Sequence, residues 1–166
     1  MFYLFFVFYK DASKIVKIII FSSLSSKAAR GRELNLLLAH LQSGVGHYYS
    51  ILLRFVNEYD LKVQRVLPEF WQSSYFGKEF DQVQSQVSFA KADEINRCVH
   101  KILIHIGDIY RYLDTLGQEN GRLMASKWYN AAILYDWSDG MPFNQLGTLA
   151  FHVNRPLEAA FFYMRW

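Results

Sequence analysis

A single cysteine, Cys98, in a chain of 166 residues leaves no intrachain disulfide and no thiolate quartet for zinc, so a reducing compartment is expected. Cys98 falls on an apolar helical stripe, where a thiol is core filler rather than a nucleophile. Proline is also scarce, three in all, which removes the strongest helix breaker and permits long helices. No apolar run reaches the ~18 residues of a membrane span. The first run, Met1 to Tyr9, stops at Lys10 and Asp11, and Ile15 to Phe21 is shorter. The first run has no basic stretch before it and no small-residue cleavage site directly after it, so it is not read as a secretory leader. It is instead a buried first helix or strand, or sequence outside the ancestral domain. There is no lysine/arginine block of five, and the net charge of +3 is too small to bind nucleic acid by bulk electrostatics. A glycine-rich phosphate loop, a nucleophile elbow, a His-Glu-x-x-His pair and Cys/His metal spacing are all missing, so neither an enzyme nor a cofactor nor a metal site is expected.

What the chain has is apolar bulk: 52% hydrophobic residues, with eleven tyrosines and fourteen phenylalanines. That is enough for a real core, and with so little proline it predicts an all-α domain packed through large side chains. Four serines between Ser22 and Ser26 break the early apolar pattern, and Lys27, Arg30 and Arg32 follow. This basic cluster is either a solvated linker ahead of the next helix or a rim of phosphate-binding charge. From Glu33 to about Val66, Leu37, Leu41, Val45, Tyr48, Leu52 and Val56 recur at helical spacing. Gly44 and Gly46 inside this segment each cost about 1 kcal/mol relative to alanine, which predicts close approach of a neighbouring helix. His40 and His47 lack the further ligands of a metal set and read as packing or solvent histidines. Pro68 ends the segment, and residues 71–91 read as a connecting loop whose Trp71, Tyr75, Phe76 and Phe80 cover an apolar surface.

The organising stretch is 94–116. Cys98, Ile102, Ile106, Ile109 and Leu113 line one helical face for six turns, while Arg97, Lys101, Asp108 and Arg111 share a second. Those charges either pair with one another or hold a ligand. Gly117 to Gly121 is a helix stop and restart, Leu123 to Leu134 a shorter helix, and Asp139-Gly140 a turn before Pro142. Two more helices are expected over 143–153 and 157–166. The segments from Ala125 and from Leu157 both follow a turn and mix small residues with aromatics, at an offset of about 33 residues, the period of a helical solenoid. Trp166 falls inside the second repeat's helix, so part of a C-terminal scaffold is expected to be missing.

Four segments carry a family resemblance. Gly107-Asp-Ile-Tyr-Arg-Tyr-Leu113, Met141-Pro-Phe-Asn-Gln-Leu-Gly-Thr-Leu-Ala150, Trp128-Tyr-Asn-Ala-Ala132 and Leu41-Gln-Ser-Gly-Val-Gly-His-Tyr-Tyr49 resemble the N-terminal domain shared by the SMG-five, SMG-six and SMG-seven nonsense-mediated decay factors and the yeast telomerase protein Est-one. The similarity is greatest to the SMG-five branch. It covers residues 34–166 and leaves residues 1–33 as a poorly matching segment. It implies a 14-3-3-like antiparallel helical array continuing into TPR-like hairpins, in a cytoplasmic protein that can shuttle to the nucleus.

The implied function is a non-catalytic phosphopeptide adaptor that recognises a phosphorylated Upf-one-like helicase and pairs with an SMG-seven-like decay factor. Carried over by position, Arg111 and Tyr112 contact phosphate and Asp108 orients Arg111. Without the resemblance, Asp108 and Arg111 read equally well as a modest surface pair. The family's pocket also takes a basic side chain from an earlier helix, for which Lys27, Arg30 and Arg32 are the candidates nearest in sequence. The alternatives are a phosphate-independent scaffold, or an Est-one-like protein bound to telomerase RNA or telomeric DNA. Direct nucleic-acid binding is disfavoured by the weak basic balance.

Overall fold

The computed structural model describes residues 27–59, 67–68 and 89–166; in the two long helices the side chains of 27–30 and 89–91 are not among those described. The described residues form five helices, α1 (Lys27–Tyr59), α2 (Phe89–Thr115), α3 (Gly121–Tyr135), α4 (Met141–His152) and α5 (Pro156–Tyr163), and contain no strand. The all-α expectation holds. The aromatic loop expected over 71–91 lies outside the described residues except at its end, where α2 already begins at Phe89.

Helix α1 buries Leu37, Leu41, Val45, Tyr48, Leu52 and Val56, the stripe that its periodicity requires. It begins at Lys27 rather than near Glu33, so the basic cluster occupies its first two turns and is not a linker. The expectation for Gly46 is overturned. It is exposed, and a Cβ placed there would meet nothing within 4 Å. Gly44 is buried, and a close approach is made at Gly107, in the middle of α2.

Helix α2 is buried on two sides because it lies between α1 and α3. Ile102, Ile106, Ile109 and Leu113 join α1 in the core, with Val99 and Leu103 beside them. The second face, expected to be a charged surface, divides along its length. Arg97 and Lys101 are exposed, while Asp108 is buried at 2% exposure under the Tyr129 side chain of α3.

The end of α2 is set by backbone geometry. Gly117 takes φ +81°, and its N–H donates to the Asp114 carbonyl at 2.9 Å while that of Gln118 donates to the Leu113 carbonyl at 2.9 Å. This pair of bonds satisfies the orphan carbonyls of a helix C-terminus, and the left-handed residue is best filled by glycine. The chain reverses, and α3 starts with its Arg122 N–H donating to the Asp114 carboxylate at 3.2 Å, a cap supplied by the preceding helix.

Two struts hold the later helices to α2. The Tyr135 hydroxyl donates to Asn96 Oδ1 at 2.6 Å. Asp139 accepts the Met141 N–H at 2.8 Å, capping α4, and its other oxygen lies 3.5 Å from Nδ1 of buried His100. The repeat suspected in the sequence has a physical basis in the hairpins. Gly107 of α2 lies under the ring of Tyr129 on α3, and Gly147 of α4 lies under that of Tyr163 on α5. In each pair the tyrosine hydroxyl reaches the residue after the glycine, Asp108 at 2.7 Å and Thr148 at 3.5 Å.

Candidate functional site

The site is built from α2 outward. Gly107 has no side chain, so α3 can lay the ring of Tyr129 directly on the α2 backbone; a Cβ at Gly107 would lie 2.5 Å from Tyr129 Cε1. The ring is fully buried, and its hydroxyl donates to Asp108 Oδ1 at 2.7 Å. One helical turn on, Arg111 Nη2 donates to the same oxygen at 3.5 Å, the outer limit of a hydrogen bond. The guanidinium lies 4.4 Å from the centroid of the Tyr112 ring, a cation–π contact.

Asp108 is therefore the hub, shared unequally between a short hydroxyl donor and a distant guanidinium. Burial pushes the Tyr129 phenol up from its ordinary range, and the Asp108 charge pushes it further, against the opposing pull of Arg111; Tyr129 stays protonated and remains a donor. Burial by itself would lower the pKa of Arg111, but Tyr129, Asp108 and Tyr112 more than offset it and hold it above the usual arginine range. The reach of Asp108 extends to α1. Tyr48 is pushed up to about 12, first by burial and then by that carboxylate.

Arg111 itself is under-used. Its side chain is 14% exposed, and Nε is buried without a hydrogen-bond partner. A guanidinium carries five donors in a planar fork. Here Nη2 reaches Asp108 at 3.5 Å and the Tyr129 hydroxyl also lies against the guanidinium, while Nε is left over. An anion with several oxygens, arriving at the open edge, would find donors in a setting less screened than water.

The structure brings Asp108, Arg111 and Tyr112 together. Arg32 is exposed near the start of α1, and the side chains of Lys27 and Arg30 lie outside the described residues. The hydroxyls of Tyr49 and Tyr110 are 3.1 Å apart, which fixes the level of α1 that faces this part of α2. Arg32 precedes Tyr49 by seventeen residues, roughly 25 Å along a helix, so it does not stand beside Arg111. Arg54, Arg97, Arg122 and Arg155 each pair with a carboxylate. Among the described residues no second cationic side chain flanks Arg111.

Sequence reasoning missed Gly107 and Tyr129 as parts of the site. Gly107 and Tyr129 were legible only as members of two separate motifs, with nothing to say that they meet. A glycine followed by an acid in a long helix, with an aromatic-rich helix after the turn, was the available signal. A cleft of about 290 Å³ lies elsewhere, lined by Gln42, Val45, Tyr110, Leu113, Gln118 and Glu119; Asp108, Arg111 and Tyr112 do not line it. Among the described residues no group of three or more His, Cys, Asp or Glu side chains could hold a metal ion. No helix there is long and apolar enough to cross a membrane.

Comparison with known proteins covers the same elements. Residues 1–117 match the family model of the telomerase activating protein Est1, and residues 125–165 match that of the Est1 DNA/RNA binding domain. The human nonsense-mediated mRNA decay factor SMG5 is 31% identical over 138 residues, which is 76% of this chain and 12% of the human protein. The SMG5 of Danio rerio is 30% identical over 131 residues, 76% of this chain and 11% of that protein. The telomerase-binding protein EST1A of Danio rerio is 35% identical over 65 residues, 39% of this chain and 4% of that protein. The chain thus spans about an eighth of the length of its SMG5 relatives.

Proposed function

The chain belongs to the Est1 family, and from that premise we propose that it is a non-catalytic docking domain of a nonsense-mediated mRNA decay factor, gripping a phosphorylated peptide through Arg111 and Tyr112. The peptide would come from a phosphorylated Upf-one-like helicase, and an SMG-seven-like decay factor would be the pairing partner, in the cytoplasm with passage to the nucleus. One observation carries this reading. Arg111 is mostly buried yet leaves Nε unpartnered, and its contact with the Asp108 carboxylate is as long as 3.5 Å. A purely structural arginine at such depth is expected to spend its donors, because unpaired buried polar groups cost about 1–3 kcal/mol each. A phosphate carrying nearly two negative charges fits the unused fork.

Calorimetry with a phosphoserine peptide and its unphosphorylated twin tests this. Binding should require the phosphate, fall about tenfold in Arg111→Lys because a point charge replaces a bidentate fork, and vanish in Arg111→Glu. Equal affinity for the two peptides refutes the reading.

A second reading is a phosphate-independent scaffold, favoured by the absence of another cation beside Arg111 among the described residues and by the partial neutralisation of Arg111 by Asp108. It predicts association with a paralogous domain, by light scattering, that is unchanged in Arg111→Glu.

A further inference from the structure

Two donors converge on one buried oxygen at unequal distances. The Tyr129 hydroxyl donates to Asp108 Oδ1 at 2.7 Å, and Arg111 Nη2 stands 3.5 Å from the same atom. An unhindered guanidinium and carboxylate close to about 2.7–2.9 Å and are frequently bidentate. Sequence spacing does not prevent that here, because residues three apart on a helix are neighbours. The hydroxyl is the better placed competitor. Its ring is fully buried and seated on the α2 backbone at Gly107, and its oxygen also lies against the guanidinium. The centroid of the Tyr112 ring is 4.4 Å from the guanidinium carbon, a contact that does not draw on the N–H donors.

We propose that Tyr129 is a positioning residue for the anion site: by occupying Asp108 Oδ1 it keeps the carboxylate from closing on Arg111 and leaves the guanidinium to a phosphorylated ligand. This rests on the reading of Arg111 as the phosphate contact. The role belongs to the hydroxyl rather than to the ring. Asp108 is buried, so water does not replace a lost donor, and a buried carboxylate must be met by another. Three groups besides Tyr129 feel its charge. His105 on α2 is held below its ordinary 6.5, chiefly by burial, and is neutral at pH 7. Tyr48 on α1, pushed up to about 12, is neutral as well. Arg111 is the cation of the three, 3.5 Å away. Without the hydroxyl the carboxylate draws the guanidinium in, and an incoming anion must compete with a closed ion pair. That competition should weaken anion binding about three- to tenfold, the worth of one net hydrogen bond.

A double-mutant cycle tests this, with a phosphoserine peptide and its unphosphorylated twin titrated by calorimetry into the parent, Tyr129→Phe, Asp108→Asn and the double variant. Tyr129→Phe keeps the ring over Gly107 and should weaken phosphopeptide binding about three- to tenfold. Asp108→Asn keeps an acceptor oxygen without the charge, so it should bind the phosphopeptide at least as tightly as the parent. In that background Tyr129→Phe should make no further difference. A merely structural tyrosine would weaken binding equally in both backgrounds. Phosphate-dependent binding that Tyr129→Phe leaves unchanged, or a loss of the same size with Asp108→Asn in place, overturns the positioning role and leaves the Arg111 reading standing. Equal affinity of the parent for the two peptides overturns the Arg111 reading, and the positioning role with it. If Tyr129→Phe does not fold, Asp108→Asn decides alone: phosphopeptide binding at or above the parent's supports the role, and weaker binding overturns it.

Discussion

Adding one methyl group at Gly107 tests how firmly the site is built. A Cβ there would lie 2.5 Å from Tyr129 Cε1 and 2.7 Å from Cδ1, whereas carbon atoms in contact prefer ~3.5–4.0 Å. The ring must therefore retreat by roughly 1 Å. It has nowhere to go, since Tyr129 is 0% exposed and its hydroxyl is fastened to Asp108 at 2.7 Å. Overpacking of this kind costs about 1–3 kcal/mol, and disturbing a hydrogen bond to a charged group adds about 1.5–3 kcal/mol. The better helix propensity of alanine returns about 1 kcal/mol, so Gly107→Ala should lose about 3 kcal/mol net. In a domain of this size that lowers Tm by roughly 6–12 °C.

Two companion variants sharpen the test. Gly147→Ala meets Tyr163 at 2.6 Å, but that ring is 39% exposed and its hydroxyl has only a 3.5 Å contact with Thr148. The ring can swing outward, and the loss should stay within about 1 kcal/mol. Gly46→Ala meets nothing within 4 Å and should stabilise by about 0.5–1 kcal/mol. Urea unfolding followed by tryptophan fluorescence ranks the three. A Gly107→Ala protein as stable as the parent, or a Gly147→Ala protein that loses as much as Gly107→Ala, refutes the picture of a ring clamped on α2.

Further outcomes can be checked by the same means. Tyr129→Phe keeps the ring and removes the donor to Asp108, which should cost about 1.5–3 kcal/mol. Combining it with Asp108→Asn should cost less than the sum of the two, because the uncompensated charge is gone; strict additivity counts against the shared oxygen. His105 is held below its ordinary 6.5 chiefly by burial, with Asp108 opposing. The folded chain thus binds that proton less readily than the unfolded one. Its contribution is complete above pH 6.5 and drains away as the pH falls through the folded value. His105→Gln should flatten the dependence of the urea midpoint between pH 7 and 5, and an unchanged slope would discard this assignment. Tyr48, raised to about 12, has the opposite sense: its contribution is intact below pH 10 and is lost as the pH climbs toward 12, readable as a late tyrosinate absorbance step.

Much of the fold was legible because helical periodicity and turn chemistry are local. Leu41, Val45, Tyr48 and Leu52 recur at three and four, and Gly117 occupies the left-handed position that ends α2. The start of α1 was misplaced because Lys27, Arg30 and Arg32 carry no apolar period, although lysine and arginine are good helix formers. The inward turn of Asp108 was illegible for a different reason. Its neighbours Arg97 and Lys101, on the same helical face, are exposed, and only the tertiary contact with Tyr129 distinguishes Asp108 from them. Gly46 and Gly107 look alike in sequence, and only tertiary contact distinguishes an idle glycine from one that seats a tyrosine. Of the site, Arg111, Tyr112 and the orienting Asp108 came from motif resemblance; the burial of that carboxylate, and the Tyr129 hydroxyl that holds it, came from the three-dimensional arrangement.

The unequal sharing of Asp108 Oδ1 has an evolutionary corollary. The short bond from Tyr129 fastens the hairpin, while the long one from Arg111 does little to hold it. Position 111 can therefore change anion affinity at less expense to the frame than the other three positions. Positions 107, 108 and 129 cannot drift singly: a side chain at 107 evicts the ring, a phenylalanine at 129 strands the carboxylate, and an apolar residue at 108 strands the phenol. Recognition can be retuned or abandoned in a lineage whose architecture stays intact.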